Sequence, residues 1–526
     1  MGACDAGCER EAARRIISRL LGSSVCTRSE VQKIKHQVAR ELRLRRIPSN
    51  TAILSYASAE ERRLLKPLLK LKPVRTLSGV AVVAVMAKPA PCPGECIYCP
   101  RGRNAPQSYT GEEPAALRAK ACNYDPFLQV QARLKQLAET GHSISKVELI
   151  VMGGTFPALP REYRRWFIKE CLDAMNSFPG QGRSLRLEDA TAANESAGVR
   201  NVGITLETRP DYCREEHVDE MLEMGVTRVE LGVQTLSEEV YRRVRRGHSI
   251  EDVVEATRVL KDAGIKVCYH MMPGLFSTPE EDLRMFQELF SNPAYMPDML
   301  KIYPALVVEG TELYELWKRG EFTPYSDGQA ASLIAEIKSQ LPPWVRTMRI
   351  QRDIPARLIV AGVKKSNLGE LVAQRLLSTG RRCRCIRCRE LGRSGAGVPE
   401  PVLHRRSYAA SGGTEVFLSI EDAAGEVLLA YLRLRYPSPD ASRWEMQNSA
   451  VVRELKVVGE ALPLGERGSS AQHRGYGRWL LAEAEALAEE AGYRRLLITS
   501  AIGTRAYYRR LGYERYGAYM AKRLGR

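Results

Sequence analysis

Residues 80–100 read VAVVAVMAKPAPCPGECIYCP, and the two halves of that stretch decide how the rest is read. Val80–Ala87 is an almost unbroken apolar run, which suits a strand covered on both faces. Immediately after it, Cys92, Cys96 and Cys99 fall in a C-x3-C-x2-C spacing on one tight loop. Five further runs repeat the rhythm, each followed by a longer amphipathic segment: VELIVMGG, VGITLETRP, VTRVELGVQT, KVCYHMMPG and LKIYPALVVEG. Six parallel strands with intervening helices are two short of a complete eight-unit barrel. The expected fold is therefore α/β, a partial (βα)6 barrel open on one side. In such barrels the chemistry sits at the carboxyl ends of the strands, where the cysteines lie.

The chain has 526 residues, which at roughly 150 per domain suggests three to four folding units. With 44% hydrophobic and 27% charged residues it is no collagen, disordered polymer or small disulfide scaffold. No apolar stretch reaches the ~20 residues that cross a bilayer, and the start lacks the apolar core of a secretion signal. No membrane partner and a cytoplasmic location are expected. Lys and Arg number 79 against 62 Asp and Glu, and the net charge of +17 favours a polyanion such as nucleic acid. A merely arginine-rich surface is the plain alternative. Six of the 13 cysteines sit in two tight clusters, which in a reducing compartment means metal rather than disulfides.

Four regions are expected along the chain. Residues 1–76 form a basic helical region: from Thr27 to Thr76, 13 basic residues face four acidic ones at helical spacing. That pattern fits either nucleic-acid contact or a solvated bundle. Residues 77–355 hold the barrel, and 356–403 form an Arg-, Gly- and Cys-rich linker with its own metal clip. Residues 404–526 form a second α/β module, with strands at TEVFLSI, VLLAYLRLRYP and VVRELKVVG, a glycine-containing turn, the long helix GRWLLAEAEALAEEAG and the strand RRLLITSA.

Three thiolates with no adjacent fourth ligand leave a tetrahedral zinc incomplete unless a distant residue completes it. A cubane cluster accepts three, and its fourth iron then has an open position. This spacing, on the loop after the first barrel strand, resembles the radical S-adenosylmethionine superfamily. The resemblance implies a [4Fe–4S] cluster on Cys92, Cys96 and Cys99, S-adenosylmethionine on the open iron, and a 5′-deoxyadenosyl radical. It also implies that Gly153, Gly154 and Thr155, after the second strand, receive the methionyl group, although two glycines there also make a plain turn. Glu207, Arg209 and Gln234 lie near strand ends, either at the barrel mouth or in core salt bridges. Cys383, Cys385 and Cys388 lie in RRCRCIRCRE, a segment too short for its own core. A structural zinc tying the two modules together is expected, with a second iron–sulfur cluster as the alternative. The fourth ligand is not evident; His404 is a candidate.

Gln472, Gly475 and Gly477 lie in QHRGYG, a turn between a strand and a long helix. Glycines allow close backbone approach, and a helix start offers free amides to a pyrophosphate. With TRAYYRRLGY downstream, the order of elements resembles the acetyl-coenzyme A site of the GNAT acetyltransferases. That resemblance implies that Glu454, Leu455, Lys456 and Val457 hold the pantetheine arm and that Tyr476, Gly477 and Arg478 meet the phosphates. It puts Tyr508 near the thioester sulfur as a hydrogen-bond donor; core packing is the other use of the Tyr507–Tyr508 pair.

Taken whole, the chain resembles the catalytic subunit of Elongator and its stand-alone archaeal and bacterial relatives. QSYTGEEPAALRA, NYDPFLQVQARLKQL, VELIVMGGTFPALPREY, GITLETRPDYC, RVELGVQT, HMMPGL, QRDIPA and GTRAYYRRLGYERYGAYMAK carry the likeness. It implies 5-carboxymethylation of the wobble uridine of transfer RNA. In that scheme the radical takes hydrogen from the acetyl methyl group, the carbon radical adds to C5 of uridine, and water hydrolyses the thioester. The likeness also implies a catalytic and acetyl-coenzyme A-binding role for Lys146 beside Tyr508, recognition of the anticodon stem-loop, and an electron donor. A homodimer is compatible with it. The competing class is a protein lysine N-acetyltransferase with a structural barrel, which leaves Cys92, Cys96 and Cys99 unexplained.

Overall fold

The apolar run after residue 80 forms strand β1, Ala81–Met86, which pairs in parallel with β2, Lys146–Met152. Strands β3 (Arg200–Thr208), β4 (Arg228–Gln234), β5 (Lys266–Met271) and β6 (Met299–Ile302) extend the sheet in chain order, every pair parallel. In this computed structural model the described residues are 3–22, 27–42, 44, 47–69, 79–391, 398–459 and 474–525. Gln472 and residues 70–76 of the basic region lie outside them.

The run LKIYPALVVEG is not one strand. Pro304, which has no amide hydrogen to give a ladder, follows β6, and Val307–Val308 form a separate short strand, β7. A seventh parallel strand, β8 (Arg346–Arg349), closes the sheet beside β6. Its sequence, RTMR, has no apolar run to mark it, because only Thr347 is buried. Strand β9, Ile359–Ala361, pairs antiparallel with β7.

Helix caps place the outer layer: Asp125 caps Pro126–Glu139, and Ser249 and Thr278 form capping boxes for Ile250–Asp262 and Pro279–Ser291. Outward residues such as Val83, Leu149, Ile204, Val229, Val267 and Leu300 pack against these helices through Phe127, Leu260 and Phe286. The inward face is different. Glu148, Arg228, Glu230, Lys266, His270 and Lys301 line a cavity rather than a packed apolar core. In the stretch expected as a linker, helix Leu368–Ser378 sends Leu368, Val372 and Leu376 into the barrel core. At the amino end, helices Ala3–Leu21, Arg28–Glu41, Asn50–Ser55 and Ala59–Leu69 close around Ile16, Ile17, Val38 and Leu65.

The second sheet contains β10 (Val402–Ala410), β11 (Gly413–Glu421), β12 (Leu428–Tyr436), β13 (Ser449–Val457), β14 (Arg495–Ile498), β15 (Glu514–Tyr516) and β16 (Tyr519–Arg523). Their order is β10-β11-β12-β13-β14-β16-β15, and of these pairs β13 with β14 is the parallel one. Strand β14 ends opposite Val452, so β13 runs on through Val457 without that neighbour. A register shift opposite Arg433 and Leu434 lets Arg453 bulge from β13. Its fully buried guanidinium crosses to the barrel and holds Asp298 at 2.5 and 2.8 Å. Lys261, Asp262, Glu415 and Arg435 complete this buried charge cluster, which fixes the second sheet against the barrel.

Candidate active site

The cysteine loop leaves β1 and folds back over the barrel mouth. Ile97 donates to the Val244 carbonyl at 3.2 Å, and the Cys99 amide closes a turn on Cys96 at 3.1 Å. Each thiol has a different polar neighbour. Thr155 Oγ1 lies 3.7 Å from Cys92 Sγ, Ser108 Oγ lies 3.1 Å from Cys99 Sγ, and Arg246 donates to Cys96 Sγ at 3.3 Å. A hydrogen bond from Cys99, with Arg246 beside it, brings the Cys96 thiol well below its ordinary value despite burial. The same hydrogen bond and burial push Cys99 up. Arg246 is itself fixed by the Gly232 carbonyl and by His248 at 2.9 Å. Three thiols on one loop, each near its own polar group, fit the three-cysteine ligand set of a [4Fe–4S] cluster.

Gly153 and Gly154 follow β2 with φ of +121° and +76°, a backbone that favours glycine. A Cβ on Gly153 would meet the Ala87 amide at 3.1 Å, so the close approach to the cysteine loop also requires it. Gly154 and Thr155 line the same cavity as Cys92, Cys96 and Cys99.

That cavity, about 2060 Å³, extends through the barrel to Glu454, Leu455, Lys456 and Tyr508. Glu454 accepts hydrogen bonds from Tyr431 and Arg433, both at 3.0 Å. Burial would raise its pKa, but Arg433, Lys266 and Lys456 bring it down to about 2. Val457 packs against the second domain's core instead. Burial pushes the Tyr508 phenol up, so it remains a donor, held edge-on to Tyr507 at 5.2 Å. Gly475, with φ +86°, starts helix Tyr476–Glu490, whose first amides at Tyr476 and Gly477 have no acceptor within the helix. The Tyr476 side chain is buried in the domain core, which leaves its backbone to face a ligand. A Cβ on Gly477 would come within 3.0 Å of the Tyr507 hydroxyl. Arg478 follows in the same first turn, its amide bonded to the Gly475 carbonyl at 2.9 Å.

Lys146 starts β2, at the end opposite Gly153, and burial lowers its pKa. Its register partner is Arg200, against which Gly503 of the second domain packs. The sulfur atoms of Cys383, Cys385 and Cys388 lie within 4.8 Å of one another, with Lys338 Nζ 3.7 Å from Cys388 Sγ. His404 does not join them. It sits on β10 and donates to the Asp422 carbonyl at 3.1 Å.

Glu207, Arg209 and Gln234 all line the cavity. Arg209 also grips Asp211 at 2.9 Å and the Arg246 carbonyl at 2.8 Å. Sequence reasoning missed the rest of the charged lumen. Its signal is present: Glu148, Arg228 and Glu230, Lys266 and His270, and Lys301 stand singly or at even spacings of two or four within otherwise apolar strand runs.

Residues 91–290 match the radical SAM superfamily, 297–378 the radical SAM C-terminal domain, 404–513 the GNAT acetyltransferase family and 9–77 the ELP3 N-terminal domain. The tRNA uridine(34) acetyltransferase of Methanocaldococcus infernus is 52% identical over 97% of this chain and 98% of that protein. The chain belongs to the Elongator catalytic subunit family. Elongator complex protein 3 of Homo sapiens is 44% identical over 94% of this chain and 93% of its own length. The solved archaeal Methanocaldococcus infernus Elp3 lacking residues 1–46 of its own chain superposes with a TM-score of 0.76 at 50% identity, covering 85% of this chain and all of that one. As a member of the Elongator family, the chain is an enzyme that joins a radical S-adenosylmethionine barrel to an acetyltransferase domain. Membership implies a [4Fe–4S] cluster and S-adenosylmethionine for the first and acetyl-coenzyme A for the second.

Proposed function

We propose that the chain is a tRNA uridine(34) 5-carboxymethyltransferase, in which the acetyl methyl carbon, after giving up one hydrogen atom, becomes bonded to C5 of the wobble uridine, the C5 hydrogen leaves as a proton while one electron passes to a one-electron acceptor, and water then hydrolyses the thioester. The observation that supports this best is the single cavity lined by the cluster cysteines at one end and by Glu454, Leu455, Lys456 and Tyr508 at the other. The archaeal relatives are named for acetyl transfer to tRNA uridine 34. When bound, the cluster and S-adenosylmethionine supply a 5′-deoxyadenosyl radical able to take a hydrogen atom from the acetyl methyl group.

The chain's own residues do the binding and orienting. Cys92, Cys96 and Cys99 hold the cluster, while Gly153, Gly154 and Thr155 receive S-adenosylmethionine. The free edge of β13 from Glu454 to Val457 holds the pantetheine arm, Tyr476, Gly477 and Arg478 meet the pyrophosphate, and Lys146 and Tyr508 act on the acetyl donor. Cys383, Cys385 and Cys388 hold a structural zinc. The basic region, residues 1–76, takes part in holding the anticodon stem-loop, and a cytoplasmic electron donor reduces the cluster. The barrel spans 77–355 and takes helix Leu368–Ser378 of the following stretch into its core, the metal clip lies within 356–403, and the acetyltransferase domain covers 404–526.

The test is anaerobic incubation of the reconstituted protein with transfer RNA, S-adenosylmethionine, labelled acetyl-coenzyme A and dithionite. Nucleoside mass analysis should find label in 5-carboxymethyluridine together with 5′-deoxyadenosine. Label appearing only on lysine amines, without 5′-deoxyadenosine, would overturn the reading in favour of protein acetylation.

A further inference from the structure

The proposed product requires a step to which no residue has been given: hydrolysis of a thioester whose methyl carbon is already attached to the base. The lumen holds a group suited to it. Glu230 on β4 is fully buried, and His270 Nε2 on β5 donates to its carboxylate at 2.9 Å. Lys301 on β6, the register partner of His270, pairs with Glu230 and reaches Glu207 at 3.3 Å. Glu207 also accepts from Tyr109 at 2.7 Å, and Tyr303 stands edge-on to the His270 ring at 5.4 Å. Because Nε2 carries the proton shared with Glu230, Nδ1 is the basic nitrogen. Among the described residues it has no hydrogen-bond partner.

Depth along the lumen also matters. Met272 packs with Cys96 and Cys99, and His270 lies two residues below it on the same strand face, about 7 Å deeper. Further down β5, Lys266 is close enough to Glu454 for the two charges to influence each other. His270 thus lies between the cysteine loop and the acetyl-donor strand, and both His270 and Lys301 line the cavity joining them. The thioester carbonyl is one bond from the methyl carbon, so the groups that hydrolyse it must lie in this passage.

Resting on the function proposed above, we infer that His270, oriented by Glu230, is the general base that hydrolyses the thioester, with Lys301 beside the developing oxyanion. His270 Nδ1 takes a proton from water as its oxygen bonds to the carbonyl carbon. The carbon–sulfur bond then breaks and the imidazolium protonates the departing coenzyme A thiolate. The products are the carboxymethyl carboxylate, free coenzyme A and one proton, with water the only co-reactant. Burial and Lys301 keep the imidazole below its ordinary pKa and hence neutral, against the pull of Glu230 and Glu207. Glu230, Cys268 and His270 could also gather a metal ion, but the Lys301 ammonium already occupies the Glu230 carboxylate.

The test uses full-length holoenzyme, transfer RNA, S-adenosylmethionine and labelled acetyl-coenzyme A. His270→Gln should release 5′-deoxyadenosine within about threefold of the parent while free carboxymethyluridine falls about 100-fold. Label should then remain on the RNA as a coenzyme A thioester that hydroxylamine converts to a hydroxamate. Glu230→Gln keeps a hydrogen-bonding side chain and should show the same block more weakly, with the same trapped adduct. Carboxymethyluridine formed at the parental rate by His270→Gln would overturn the assignment. So would loss of product in both variants with no trapped adduct. If the parent enzyme yields neither 5′-deoxyadenosine nor labelled uridine, the proposed function itself fails instead.

Discussion

Cys92, Cys96 and Cys99 each meet a polar group from a different part of the fold, Thr155, Arg246 and Ser108, whereas Cys383, Cys385 and Cys388 converge on one point beside a single lysine. A single tetrahedral zinc with thiolate bonds of ~2.3 Å needs its sulfurs within roughly 4 Å of one another. The second loop gathers its three within 4.8 Å, and among the described residues the first trio is not drawn together as tightly. Nearly the same residue count and spacing therefore suit two metals of different size. What separates them is that the second loop brings all three of its thiols together, whereas in the first loop Cys96 and Cys99 share a hydrogen bond and the trio as a whole is held less tightly.

The largest effect should come from removing a ligand of the first set. Cys96→Ala should abolish 5′-deoxyadenosine and carboxymethyluridine formation and lose the iron absorbance of the reconstituted protein, while zinc at the second loop is retained. If iron stays at the parental level, the contrast between the loops is wrong at its first member.

A smaller effect is expected from the converged set. Cys385 is fully buried, and the neighbouring Ile386 amide donates to the Val345 carbonyl at 2.9 Å, so its loop is already tied to the barrel. Cys385→Ala should lose the zinc proposed there, read by elemental analysis, and lower the unfolding midpoint by about 5 °C. Iron and 5′-deoxyadenosine should persist, because the hydrogen-bond partner of Cys388 is Lys338 on another helix and not a residue of the cluster loop. Loss of iron on this substitution would show that the second metal supports the first.

The two loops were readable in the sequence because their spacing is local and needs no tertiary contact. The six apolar runs marked the strand rhythm for the same reason. Strand β8 was not, since Arg346–Arg349 is a polar strand at the sheet's end that buries only its threonine. The splitting of LKIYPALVVEG at Pro304 is masked because the apolar residues beyond the proline continue the run while pairing elsewhere. The lumen was hidden differently. Glu230, His270 and Lys301 are each an ordinary charge in an apolar strand, and only parallel pairing of three strands tens of residues apart brings them together. Tyr476 shows the limit from the other side: the glycine turn predicted its place at the helix start, but the sequence did not say that its ring turns into the core.

The smallest expected effect concerns the group beside the converged thiols. Lys338, on helix Asp327–Gln340, is 8% exposed, and its ammonium lies 3.7 Å from Cys388 Sγ. Three thiolates around a divalent ion carry one net negative charge, and a buried cation at that distance offsets it. Neighbours of this kind typically change metal affinity by about 10–100-fold. Lys338→Met should therefore weaken zinc binding by about that factor in competition with a chromophoric chelator, with the cluster's iron content unchanged. Lys338→Arg, which keeps the charge, should recover most of the loss. If Lys338→Met holds zinc as tightly as the parent, the ammonium only fills space beside Cys388, and the contrast rests on sulfur spacing alone.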